Sequence, residues 1–118
     1  MAGDALARAR RIAEVAAEKK GEDILVLDLR ELTLVTDYFV ICTGTTTIQI
    51  KAIAEAVEEA MSQEGRHPLG REGLEDGRWV LLDYGDVVVH LFAPEERKYY
   101  KLERLWGDAE RVEWEQKG

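Results

Sequence analysis

Asp83, Asp86 and His90 lie close together in the segment WVLLDYGDVVVHLF, residues 79–92. Two carboxylates beside an imidazole could hold a divalent cation or act as a general acid and base. The spacing argues against both. The aspartates flank a turn, where aspartate is common because it caps the turn backbone. No third neutral ligand stands at a specific distance. His67 precedes Pro68 in a polar stretch and reads as a solvated loop residue. Cys42 lies inside an apolar run with no activating base nearby, so a buried, inert thiol is expected. CTGTTT, residues 42–47, leads into a helix, where free backbone amides can hold a phosphate. It lacks the glycine-lysine and G-x-G-x-x-G patterns, and capping explains its threonines. No catalytic residue, metal or cofactor is expected.

The elements that must position these residues follow from periodicity. Residues 4–20 read as a helix, with Leu6, Ala9, Ala13 and Ala16 at helical spacing and Ile12 and Val15 beside them. Gly21 is its expected stop, and Lys19 and Lys20 fall in its last turn, where cations suit the dipole. DILVLDL (23–29) reads as a strand buried on both faces. DYFVICTG (37–44) reads as a second strand, antiparallel to the first because the link is too short for a crossover. Residues 46–64 form the clearest helix. Ile53, Ala56, Val57, Ala60 and Met61 make its apolar stripe, Glu55, Glu58 and Glu59 its wet face, and Thr46 with Gln49 a capping box. Gly65 ends it. RHPLGREGLEDG reads as a loop with a short edge strand before Gly70. EERKYYKLERLWGD reads as one C-terminal helix stopping near Gly107. The fold class is α+β, a mixed sheet of about five strands flanked by helices, in a single domain over residues 1–118.

Residues 79–92 read as a hairpin. With Tyr84-Gly85 as a two-residue turn, Asp83 pairs with Asp86, Leu81 with Val88 and Trp79 with His90. One face then carries Val80, Leu82, Val87, Val89 and Leu91 and must be core. The other mixes Trp79, Leu81, Asp83, Asp86, Val88, His90 and Phe92. Three uses of this mixed face present themselves. Tyr99, Tyr100, Leu102 and Trp106 of the C-terminal helix could cover it. It could be a docking surface, since aromatic groups with a polar rim compose interface hot spots. It could be catalytic.

Sixteen basic and 24 acidic residues give a net charge of −8. The bases alternate with acids along the chain, as in EERKYYKLER, so direct binding of nucleic acid is disfavoured and a basic protein partner favoured. One cysteine excludes an internal disulfide. The apolar runs fall short of the roughly 20 residues of a membrane span. The N-terminal residues carry no signal-peptide pattern. A cytoplasmic location with no membrane partner is expected.

DILVLDLRELTLVTDYFVICTGTT, AIAEAVEEA, REG, WVLLDYGDVVVHLF and RKYYKLERLWGDA resemble, in that order, the ribosomal silencing factor family, also called Iojap-like or RsfS. The resemblance spans residues 20–109. It implies a fold distantly similar to nucleotidyltransferases, no enzymatic activity, and homodimers of the free protein. It implies binding to large-subunit ribosomal protein fourteen on the intersubunit face, blocking the small subunit and repressing translation. Trp79, Leu81 and Asp83 are carried over to the partner-facing surface, and Tyr84, His90 and Tyr100 to its rim. The family's Gly-Asn-Ser followed by arginine is replaced by Gly44-Thr45-Thr46 and Ile48, so that arginine's role has no carrier here. Two rivals remain at this level: a metal-dependent nucleotidyltransferase-like enzyme using Asp83, Asp86 and the threonine-rich turn, and a small dimeric scaffold for another partner.

Overall fold

The computed structural model describes residues 2–115; Met1 and residues 116–118 of the expected domain lie outside them. In chain order the elements are α1 (Ala2–Glu18), β1 (Glu22–Asp28), β2 (Tyr38–Thr43), α2 (Thr47–Gln63), β3 (Gly70–Glu72), β4 (Trp79–Asp83), β5 (Val87–Phe92), α3 (Pro94–Tyr100), α4 (Leu102–Leu105) and β6 (Glu110–Arg111). The strands form one mixed sheet in the order β3-β4-β5-β2-β1-β6. Among the described residues only β2 and β5 run parallel; the other neighbours are antiparallel. The α+β reading holds, with six strands in place of about five.

The additional strand comes from the tail. β6 pairs with the outer edge of β1, Leu27 opposite Arg111 and Asp28 opposite Glu110. Val112 N–H donates to the Val26 carbonyl at 2.8 Å, and the Trp114 indole donates to the Ile24 carbonyl at 3.2 Å. Two residues of strand cover an edge that would otherwise offer unpaired amides to another chain. β1 itself departs from the expectation of burial throughout. Val26 and Leu27 are buried, one on each sheet face, whereas Glu22 and Asp23 are exposed.

Helices α1 and α2 both pack on one sheet face. There Ile12, Ile53, Val57 and Met61 meet Val40, Val80, Leu82, Val89 and Leu91, all fully buried. Burying an aliphatic side chain of this size contributes about 1.5–3 kcal/mol. α1 ends as its small-residue stripe predicts, but through a different residue. Lys20 takes the left-handed conformation, φ 68°, and Gly21 N–H reaches back to the Ala16 carbonyl at 2.8 Å. This is a Schellman stop with Gly21 one position later than expected. Gly21 is needed for clearance: a Cβ there would collide with Cys42 Sγ. Cys42 is fully buried, and burial pushes its thiol up to about 12.

At the start of α2 the Thr46 hydroxyl accepts from Gln49 N–H at 3.0 Å, as the capping box requires. The reciprocal half of the box falls one residue earlier than expected, on Thr45 rather than Thr46. The Gln49 amide oxygen accepts from Thr45 N–H at 2.7 Å, and the amide nitrogen donates to the Lys20 carbonyl at 2.9 Å. The threonine-rich turn is therefore committed to joining α2 to the end of α1. Gly65 (φ 75°) closes α2 as expected.

The expected single C-terminal helix is broken in two. Lys101 adopts φ 47° between α3 and α4, a left-handed conformation that a non-glycine residue enters at some cost. The break folds α4 back so that Leu102 and Trp106 reach the sheet face that α1 and α2 leave open.

Candidate functional site

Cross-strand partners place the site. Trp79 stands opposite Phe92, Leu81 opposite His90 and Asp83 opposite Val88. Tyr84 N–H donates to the Val87 carbonyl at 2.9 Å, so the two turn residues are Gly85 and Asp86. The expected pairing is off by two residues. Tyrosine could not supply the positive φ that a primed hairpin turn needs at its first position; Gly85 does, at φ 86°. A shift of two keeps every strand side chain on its face, which is why the face sorting survives the correction. Asp86 does not: it leaves the mixed face for the turn.

The two aspartates therefore diverge. Asp83 Oδ1 accepts from Gly85 N–H at 2.8 Å, capping the turn. Asp86 forms an ion pair with Arg8 of α1, on the opposite side of the sheet. His90 lies on the Asp83 side, two residues along from Val88 on β5. The three groups do not converge, so the arrangement offers no paired-carboxylate centre.

Across the sheet the mixed face reads in rows. Glu72, Leu81, His90, Ile41 and Leu25 are consecutive neighbours, and Gly70, Asp83, Val88, Phe39 and Leu27 form the next row. Its second core holds Leu27, Leu29, Ile41 and Phe92, with Phe39, Trp79, Leu102 and Trp106 partly buried around them. Trp79 stacks on Phe92 with ring centroids 5.0 Å apart and lies 4.4 Å from Tyr100 of α3. Phe39 meets Trp106 edge-on at 5.9 Å. α3 and α4 thus cover one end of the face and leave Trp79, Leu81 and Asp83 half-buried, neither sealed nor free.

Two of the six expected contact residues are buried. Tyr84 points into the α1–α2 core and is 6% exposed, because the corrected register puts it in phase with Val80 and Leu82. Burial pushes its phenol up to about 12. His90 is on the expected face but 4% exposed, roofed by Phe39 at 4.5 Å and by Trp79. Neither can serve as a rim. Tyr100 is 47% exposed and can. Phe39 of β2, packed against the second core and edge-on to His90, was missed as part of this face. Tyr99 and Leu105 are largely exposed on α3 and α4, and Phe39 is half-buried on β2.

His90 has a structural task. The Trp79 indole donates to its Nδ1 at 3.2 Å, so the neutral ring carries its proton on Nε2. Burial lowers the imidazole to about 4 from an ordinary 6.5. Between pH 6.5 and 4 the unfolded chain binds a proton that the folded chain excludes, so stability falls as pH drops through this window. The full shift corresponds to about 3 kcal/mol. Urea unfolding of wild type and His90→Gln at pH 7 and near pH 4 should show the wild type losing more by about that amount. Equal losses would mean that His90 is not the acid-sensitive group.

A model of the family described as ribosomal silencing factor during starvation matches residues 2–118. A Bacillus subtilis relative named ribosomal silencing factor RsfS is 48% identical over 100 residues, covering 84% of this chain and 85% of that protein. A Chromobacterium violaceum crystal structure superposes with a TM-score of 0.80 at 41% identity, covering 84% of this chain and 83% of the other. A mouse protein named for mitochondrial assembly of the ribosomal large subunit is 32% identical over 92 residues, which make up 75% of this chain and 40% of that one.

Proposed function

The chain belongs to the ribosomal silencing factor family, and from that premise we propose that it represses translation by seating the Trp79 face on large-subunit ribosomal protein fourteen. Occupying that protein on the intersubunit side blocks joining with the small subunit. The observation that carries the reading is a sheet face only partly covered by the chain's own helices. Trp79 stands on it in an aromatic stack with Phe92 and Tyr100, and Leu81 and Asp83 lie beside it, half-buried. An aromatic anchor with an adjacent aliphatic group and a carboxylate at the edge has the anatomy of an interface hot spot.

Charge supports a basic partner. At −8 the chain is attracted to a cationic protein over a Debye length, which raises the encounter rate, while burial of the anchor slows departure. The related names point to the ribosome, and the mouse protein's name to its large subunit. A docked domain buries roughly 800 Å² per partner in a typical specific complex, enough to exclude a competitor sterically. No chemistry and no cofactor enters this mechanism. The free protein acts in the cytoplasm and pairs as a homodimer in the same reading.

The test is subunit joining followed by light scattering. Large subunits preloaded with the protein should fail to give the rise in scattering that accompanies addition of small subunits. An undiminished rise, with the protein bound, would remove steric exclusion as its mode of action.

A further inference from the structure

The alternation of charges in EERKYYKLER does not survive folding. Arg97 of α3, Lys101 at the break and Arg104 of α4 are brought to one cleft by the turn of the chain at Lys101. With Lys98 and with Arg111 of β6 they line an open cleft of about 1290 Å³ beside the N-terminal end of β1. Glu22, Asp23 and Glu115 also line it, so five cations face three carboxylates. The surplus is positive in a chain whose net charge is −8.

Four of these five cations are not consumed internally. Arg97 is the structural member, donating to Thr43 Oγ1 at 2.9 Å and to the Asp23 carbonyl. Lys98, Lys101, Arg104 and Arg111 are exposed and make no ion pair among the described residues. The volume exceeds the usual 300–1,000 Å³ or so of a small-molecule pocket. Several cations along one open groove suit a ligand that repeats its negative charge along a backbone.

We infer that this cleft holds the phosphate backbone of RNA, through Lys98, Lys101, Arg104 and Arg111, without reading its sequence. The inference rests on the ribosomal reading above and deepens it: the Trp79 face grips a protein, and the cleft beside α3 grips adjacent ribosomal RNA. α3 carries Tyr100 on the first surface and Lys98 on the second, so both contacts bear on one element. An acidic protein segment is the competing occupant.

The experiment compares wild type with Lys101→Glu/Arg104→Glu, both positions being exposed, and confirms folding by thermal unfolding. Binding to purified large subunits is measured against salt concentration. Each lost phosphate contact should reduce the slope of log affinity against log salt by about 1. The double variant should therefore lose about 2 from the slope and bind at least about tenfold more weakly at low salt. Trp79→Ala should weaken binding with its slope unchanged, which separates the two contacts. Titration at low salt with a short RNA hairpin, and with polyglutamate of equal charge, tests the cleft apart from the ribosome. The hairpin should bind wild type and not the double variant. Failure of the hairpin to bind wild type, or tighter binding of polyglutamate, would overturn the inference even if large-subunit docking holds. An unchanged salt slope in the double variant would do the same.

Discussion

Asp86→Ala should lower the free energy of unfolding by about 3 kcal/mol. Arg8 of α1 is 5% exposed, and its guanidinium is paired with the Asp86 carboxylate in the turn between β4 and β5. Removing the acid leaves a buried cation without a counter-charge, a change that typically costs about 3–5 kcal/mol. The lower end applies because the Asp86 side chain is 32% exposed, so water reaches the pair. The reverse truncation is milder: Asp86 without Arg8 can turn to solvent. Arg8→Met should therefore cost less than Asp86→Ala, and the two together less than the sum. The turn backbone is spared in all three, since the Asp86 carbonyl still accepts from Asp37 and Tyr38 N–H at 3.0 and 3.1 Å. Chemical denaturation of the four proteins measures the coupling. An Asp86→Ala protein within about 0.5 kcal/mol of wild type would show that the pair contributes nothing net.

Trp79→Ala should weaken binding to large subunits by about 2 kcal/mol or more, roughly 30-fold in Kd. The indole lies over Phe92 and against Tyr100, and its N–H is committed to His90. What it offers a partner is ring surface already held in place, so little side-chain freedom is lost on docking. The same contacts mean that truncation also loosens the second core. Leu81→Lys supplies the control: Leu81 is half-buried, so a lysine can extend into water and leave the fold intact while placing a cation against a cationic partner. Both variants should bind poorly as folded proteins. Wild-type affinity in both, with folding verified, would place the contact elsewhere on the chain.

Much of this was legible locally. The Thr46–Gln49 cap, the Gly65 stop and the apolar stripe of α2 need only neighbours within a turn or two. The two faces of β4 and β5 follow from a period of two, which no register shift by an even number can disturb. Tyr84 and Asp86 were misplaced because they sit where the turn begins and ends. There, a move of the turn by one residue sends one side chain into the core and the other to Arg8. His90 was placed on the right face but at the wrong depth. Its cover comes from Phe39, more than fifty positions away in sequence.

By itself the sequence determined α1, α2 and the strands β1, β2, β4 and β5, which strand side chains share a face, and the family to which the chain belongs. Each depends on spacing along the chain or on the order of its segments. The tertiary structure alone decided how far the mixed face is covered, that the tail closes the edge of β1, and that alternating charges sort into a cationic cleft. Burial and local potential are sums over groups distant in sequence. They take a value only when the break at Lys101 and the pairing of β6 have set those groups side by side.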